Sequence, residues 1–201
     1  MKKSKHDFLW PSFTDLMMSL FFIMLVLYVL TYVYMKNQQM ATESQLRKIR
    51  EIQRAVNALD TKYFTYDSTY KRFTLNRQIS FPIKESTITN AADRQYLLNV
   101  GINIQTLIEG LKRKYAGQNI SYMVVIEGMA STDNYDRNFQ LSYERALALY
   151  RLWQGAGIKL DASTCELQIA GSGTAGVGRS PNESQNQRFL IQIIPKIGTL
   201  Q

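Results

Sequence analysis

The sequence predicts an α+β protein with one N-terminal transmembrane helix, a helical linker and a C-terminal domain. Three observations support this organisation. Residues 16–35 contain no charged side chain, residues 36–62 contain neither glycine nor proline, and strand-like and helix-like patterns alternate from about Tyr63 onward. The alternation has the order β-α-β-α-β-β, which is typical of one domain with its helices packed on one face of a mixed sheet.

The uncharged stretch has the length of a membrane span. Twenty helical residues at 1.5 Å each extend about 30 Å, which matches the hydrocarbon core of a bilayer. A cleaved signal peptide is the alternative, because Lys2, Lys3 and Lys5 give a basic start. The run is too long for a signal peptide, and no small-residue cleavage site follows it. We expect a tail over 1–12 and a retained span over 13–35.

Composition restricts the class of function. The chain carries a net charge of +8, but its 24 Lys and Arg are scattered, so we expect no nucleic-acid partner. One cysteine and one histidine make a disulfide, a metal cluster or a histidine-based catalytic site improbable, and no cofactor is expected. Long domains cross membranes largely regardless of charge. We therefore expect an inner-membrane protein with a cytoplasmic N-terminus and a periplasmic C-terminal domain.

Asp15 is the notable residue of the predicted span. It lies about one turn inside the apolar stretch, and positions i+3 and i+4 are Met18 and Ser19 rather than basic residues. Asp15 could be the N-cap or first-turn acid of the helix. If Pro11 starts the helix one turn earlier, Asp15 lies inside it instead. A carboxylate there can bind a cation from one side and release it to the other, but only if partner helices enclose it.

The sequence Phe13-Thr14-Asp15-Leu16-Met17, followed by Ser19-Leu20-Phe21-Phe22, resembles the signature of MotB-type stator subunits, with Thr14 in place of the common alanine. The resemblance implies that Asp15 carries the ion. It also implies a homodimer of this chain inside a ring of about five multi-span, MotA-like A subunits. Ion flow would turn this ring. We expect H+ rather than Na+. The driven process stays open among flagellar rotation, gliding, secretion and phage defence.

The segment 36–62 carries a narrow apolar seam with spacings of three and four. Its members are Leu46, Ile49, Ile52 (or Gln53), Val56 and Leu59. The seam is compatible with an amphipathic connector that rests on the next domain or with a two-stranded parallel stalk. The family resemblance adds a third possibility, a plug that blocks ion flow.

The C-terminal domain, assigned to residues 63–201, contains four predicted strands and two predicted helices. The helix over 91–115 presents a broad apolar face that includes Leu97, Leu98, Ile102, Ile104, Leu107, Ile108 and Leu111. The second helix is predicted over 141–153. The strands are predicted at 72–81, 120–127, 166–170 and 189–194.

This half resembles the OmpA-like peptidoglycan-binding domain. The segment from Asn138 to Ala146 (NFQLSYERA) fits the family pattern N-x-x-L-S-x-x-R-A. Gly171-Ser172-Gly173, Pro181 and Asn186-Gln187-Arg188-Phe189 follow in the family's order. The resemblance implies a peptidoglycan site that includes Asn138, Arg145 and Arg188, and we expect Asp133 to supply its acid.

Peptidoglycan stem peptides can end in a side chain with both an amine and a carboxylate. An acid suits the ammonium and an arginine suits the carboxylate. Arg145 occupies the family position, but the family's acid falls on Ala130, or on Ser131 if the loop is one residue shorter. The nearest acids, Asp133 and Asp136, are out of register. A helix-start ion pair is the structural alternative for Arg145.

Two readings of the whole chain remain. In the first it is a motor subunit anchored to the cell wall, and in the second it is a non-conducting wall tether. The sequence shows no combination of a nucleophile and a base that would indicate an enzyme. The glycine-rich run over 171–178 lacks the Lys-Ser/Thr of a phosphate-binding loop, so we expect an ordinary loop there.

Overall fold

The computed structural model describes residues 9–57, 59–117 and 120–197, without the side chains of 9–12, 48, 57 and 197. The predicted basic tail, with Lys2, Lys3 and Lys5, lies outside the described residues. The chain forms two compact units, Met1–Lys48 and Ile49–Gln201.

Helix α1, Leu9–Asn57, is longer than the predicted span and provides the whole described part of the first unit. Its stretch from Phe13 onward is long and apolar enough to cross a membrane, and none of its most apolar window is buried by protein. Large apolar side chains are exposed on every side of the helix from Phe13 to Met35. Such a helix needs an apolar solvent or partner helices around it.

The second unit is an α+β domain, as predicted. Its elements are β1 (Phe64–Asp67), β2 (Arg72–Leu75), α2 (Ala91–Lys114), β3 (Ile120–Gly128), α3 (Asn138–Gly155), β4 (Cys165–Gly171), a 3-10 turn (Glu183–Asn186) and β5 (Phe189–Ile197). The sheet has the order β1-β2-β5-β3-β4. It is mixed, because β3 and β4 pair in parallel whereas the other neighbours are antiparallel.

One strand and several boundaries differ from prediction. The first predicted strand ends at Leu75 rather than at residue 81, and it pairs with β1, which the prediction lacked. Helix α3 begins at Asn138, three residues before the predicted start.

The core lies under one face of the sheet. Tyr122, Val124 and Ile126 are buried, whereas the alternate residues of β3 are half-buried. The Asn90 side chain caps α2 by accepting hydrogen bonds from the amides of Ala92 (2.8 Å) and Asp93 (3.1 Å).

The two helices of the domain are joined by a buried hydrogen bond, in which the Trp153 indole donates to the carbonyl of Leu97 at 2.8 Å. The predicted apolar face of α2 is wrong for one residue. Ile102 is 49% exposed, because the buried stripe passes through Val100, Gly101 and Ile104 instead.

The last two turns of α1 belong to the domain. Ile52, Val56 and Leu59 are buried in its core. Glu51 forms an ion pair with Lys114 at the end of α2, with 2.7 Å between Oε1 and Nζ. This arrangement is compatible with the connector alternative, because three residues of the predicted seam face the domain's own core.

Helix α3 lies directly on the ends of two strands. Gly128 and Gly171 are partners in the β3–β4 ladder. A Cβ at position 128 would lie 2.0 Å from the carbonyl oxygen of Ser142, and one at position 171 would lie 2.4 Å from the amide nitrogen of Tyr143. Only glycine permits this approach, which brings the first turns of α3 against the carboxyl ends of β3 and β4.

Candidate functional sites

The first candidate site is the carboxylate of α1. The helix begins at Leu9, so Asp15 lies beyond its first turn and cannot be its N-cap. The side chain is exposed among exposed neighbours such as Phe13, Leu16 and Met18. Ser19, one turn further on, donates its hydroxyl to the carbonyl of Leu16 at 2.9 Å. The carboxylate therefore projects from an apolar helix rather than ending it.

The second candidate site lies at the start of α3 and consists of Asp133, Asn138 and Arg145; we call it the α3 site. Asp133 is exposed, and its Oδ1 accepts hydrogen bonds from Asn138 Nδ2 (2.7 Å) and the Tyr135 amide (3.0 Å). The bond from Asn138, followed by that from the Tyr135 amide, lowers the pKa of the Asp133 carboxyl. Asp133 is thus held in place as an anion.

Arg145 forms the buried half of the α3 site and is only 3% exposed. Its Nε donates to the carbonyl of Glu85 at 3.2 Å, its Nη2 reaches Gln187 Oε1 at 3.5 Å, and its guanidinium lies 4.4 Å from the Phe81 ring centroid. Among the described residues its Nη1 is buried without a hydrogen-bond partner. Burial lowers the pKa of Arg145 to about 10, and the nearby negative charge of Asp133 opposes this effect.

Asp133 is therefore close enough for its charge to act on Arg145. However, no ion pair within 4.0 Å joins Arg145 to an acid in the described part of the chain. The alternative of a helix-start ion pair for Arg145 does not describe this arrangement. An exposed anion and a buried arginine with an unused N–H can instead contact two oppositely charged groups of one ligand.

An ion pair between Arg179 and Glu183 holds the loop that carries Asp133. Glu183 Oε2 accepts from Arg179 Nη2 (2.6 Å) and from the amide of Thr132 (2.7 Å). Arg179 Nη1 also donates to the carbonyl of Ala130 at 3.0 Å. The hydrogen bonds from the Thr132 amide and from Asn186 lower the pKa of Glu183 to about 2, so it stays anionic. The glycine-rich run begins with Gly171, the last residue of β4, and continues as a loop, as expected.

The predicted site residue Arg188 lies apart from the others. Its side chain donates to the carbonyl of Gly178, and no described contact joins it to the α3 site. Gln187, and not Arg188, reaches Ser131 (3.1 Å) and Arg145.

The sequence prediction missed the residues that approach the α3 site from the segment before α2, which are Phe81, Lys84 and Glu85. Phe81 packs edge-on against Phe189, with 5.7 Å between the ring centroids. The only signal of this position in the sequence is an aromatic residue at the end of a predicted strand. Contacts across 60 residues, such as that from Arg145 to Glu85, leave no periodic pattern.

Comparisons with known proteins give structural matches alone. No protein-family model matches the chain, and no curated protein matches it. Among solved structures it is similar to a periplasmic domain of Helicobacter pylori MotB, with 10% identity, a TM-score of 0.42, and 67% of this chain and 89% of that one covered.

Two further solved structures are similar. One is a MotB-like protein from Desulfovibrio vulgaris, with 16% identity, a TM-score of 0.41 and coverage of 79% and 94% of the two chains. The other is the OmpA-like domain of FopA1 from Francisella tularensis, with 18% identity, a TM-score of 0.37 and coverage of 70% and 86%. MotB periplasmic domains and OmpA-like domains, the families that the sequence motifs resemble, are thus among its structural neighbours.

Proposed function

We propose that this chain is the B subunit of an ion-driven rotary motor of the inner membrane. Asp15 carries the ion, and the C-terminal domain anchors the unit to peptidoglycan from the periplasm. One observation carries the proposal. Asp15 lies inside, rather than at the start of, an apolar helix that is long enough to cross a bilayer.

The energetics of Asp15 favour a working role. Insertion of an aspartate at the centre of a membrane helix costs about 2.5–3.5 kcal/mol, and less near its end. A helix that serves only as an anchor gains nothing from this residue. A charge that crosses the membrane releases about 2.3 kcal/mol per 100 mV, which is available for work.

The exposure of the Asp15 side chain on α1 implies that partner helices surround it. One helix cannot enclose an ion path, so Asp15 must be covered by other helices when it conducts. The arrangement that suits the proposal is a homodimer of this chain within a ring of about five multi-span, MotA-like subunits. We propose H+ as the ion, with the N-terminus in the cytoplasm.

The α3 site supports the anchoring half of the proposal. The Asp133 carboxylate is exposed and suits the ammonium of a stem-peptide side chain. Arg145 suits the carboxylate of the same group through its guanidinium, whose Nη1 has no partner among the described residues. Asn138 orients the acid. Arg188 supports the site without touching the ligand, because its carbonyl accepts from the amide of Met129 at 3.0 Å.

A pair of variants tests the proposal in reconstituted complexes and with purified peptidoglycan. Asp15→Asn keeps the shape of the side chain but cannot carry a proton, so ion flux should fall to background while co-sedimentation with peptidoglycan persists. Asp133→Asn should keep the flux of the complex and weaken sedimentation about tenfold or more, as expected for loss of a charged hydrogen bond.

Two controls match these variants. Asp15→Glu retains a carboxylate and should retain some flux, and Asp136→Asn removes a neighbouring exposed acid that lies outside the α3 site. Normal flux in Asp15→Asn would contradict the motor and leave a wall tether. Normal sedimentation of Asp133→Asn would contradict the assigned peptidoglycan site.

A further inference from the structure

A tight turn of the domain, Pro82–Glu85, lies over the α3 site. The turn is closed by a hydrogen bond from the Glu85 amide to the Pro82 carbonyl, at 3.1 Å. Its second residue, Ile83, is 89% exposed, so the turn is not held by a buried apolar anchor of its own. Lys84 has a φ of 59°, in the left-handed region that non-glycine residues rarely adopt.

The side chain of Lys84 covers the acidic half of the site. Its Nζ lies 5.1 Å from the centroid of the Tyr135 ring, within the range of a cation–π contact. Tyr135 is also the residue whose amide donates to Asp133. Its aromatic face and the neighbouring carboxylate form the surroundings that an ammonium group prefers, and Lys84 supplies an ammonium there.

The backbone of the next residue covers the basic half. The carbonyl oxygen of Glu85 accepts from Arg145 Nε at 3.2 Å. Nε is one of the guanidinium donors that face a carboxylate in a bidentate pair. A carbonyl oxygen of the chain therefore stands where a ligand oxygen would be bound.

We propose that the turn Pro82–Glu85 is an internal substitute for the ligand of the α3 site. Lys84 takes the place of the ligand's ammonium and the Glu85 carbonyl takes the place of its carboxylate oxygen. This inference rests on the proposed function of the site. A ligand must displace the turn, and one that carries both an amine and a carboxylate replaces both contacts at once. A ligand with only one of these groups has to displace the same turn and leaves one half without a partner, so it binds more weakly than the double-headed side chain.

The experiment measures binding of a defined peptide by the full chain in lipid nanodiscs, using calorimetry. The probe is L-Ala-γ-D-Glu-meso-diaminopimelate, and the comparison probe is the same peptide with its free side-chain amine acetylated. Lys84→Met removes the competing ammonium and keeps the length of the side chain. It should bind the first probe about two- to fivefold more tightly, the range given by one exposed cation–π contact. It should bind the acetylated probe more tightly by about the same factor, because that probe has to displace the same turn.

The chain offers a matched control in Lys71, which has a φ of 55° in the turn between β1 and β2. Lys71→Met removes the same charge from the same backbone conformation and should leave binding unchanged. Equal or weaker binding by Lys84→Met, or an equal gain in Lys71→Met, overturns the inference but leaves the peptidoglycan site standing. Absence of binding in both the wild-type protein and Lys84→Met removes the site itself and the inference with it. Binding by Lys84→Met alone supports both.

Discussion

One helix, α1, meets two different environments. Between residues 13 and 35 its large apolar side chains are exposed all around the helix. Among the described side chains of residues 49–57, only Ile52 and Val56 are buried, and the interleaved Glu51 and Arg54 are exposed. Continuous apolarity is typical of a helix surrounded by lipid or other helices, whereas spacings of three and four are typical of a helix with one protein partner. For residues 49–57 that partner is the domain's own core.

The largest expected effect comes from Ile52, which is fully buried in that core. Ile52→Ala should lower the free energy of unfolding of the domain by about 2–5 kcal/mol, because it removes buried methyl groups and leaves a cavity. Urea denaturation of the full chain in detergent, followed by the fluorescence of the buried Trp153 in a Trp10→Phe background, measures it. Leu46→Ala is the control, because Leu46 is 45% exposed in the other unit. Equal losses in both variants would erase the distinction between the two stretches.

A thiol-labelling experiment sharpens the comparison with a smaller effect. A maleimide should react with the Leu46→Cys variant roughly tenfold or more faster than with Ile52→Cys, which reacts only when the docked segment opens. Slow labelling of both would indicate the two-stranded stalk instead. The natural Cys165 is an internal slow reference, because burial raises the pKa of its thiol to about 11.

The smallest effect belongs to the exposed ion pair between Glu51 and Lys114. The hydrogen bond from Lys114 lowers the pKa of Glu51 below its usual 4.5. The pair therefore stabilises the folded domain above that value, and the contribution is lost as the pH falls through the lowered pKa.

Glu51→Gln should shift the urea midpoint slightly downward at neutral pH and by less as the solution is acidified. Glu43→Gln, on the exposed part of the same helix, is the control. A shift in Glu51→Gln that persists in acid would show that its effect is not that of the ion pair.

The parts of the fold that could be predicted are those with a strong local pattern. Helix α2 and strand β3 have long apolar repeats, and their bounds were predicted to within one residue. Strand β1 was missed because its four residues, Phe64–Asp67, alternate too briefly to register as a strand. Strand β2 stops at Leu75 although the alternation continues, because Arg77 leaves the sheet to pair with the buried Asp93, with 2.6 Å between Nε and Oδ1.

For the α3 site, the sequence predicts only those residues whose chemical type suits the ligand. Asp133, Asn138 and Arg145 do lie together at the start of α3. Their common location depends on α3, whose start was placed three residues late. Arg188 was grouped with them from its place in a motif, but the side to which a residue points at a strand entrance depends on local backbone geometry. Lys84 and Glu85 reach the site from a turn whose position no local pattern encodes.

The contact of α3 with Gly128 and Gly171 has a consequence for how the sequence can vary. A methyl group at either glycine would push the first turns of α3 off the strand ends. Asn138 and Arg145 would move with that helix, although neither glycine belongs to the α3 site. Selection that preserves the site should therefore constrain two residues whose whole contribution is the absence of a side chain, and their exchange for alanine should be among the rarest changes in related sequences.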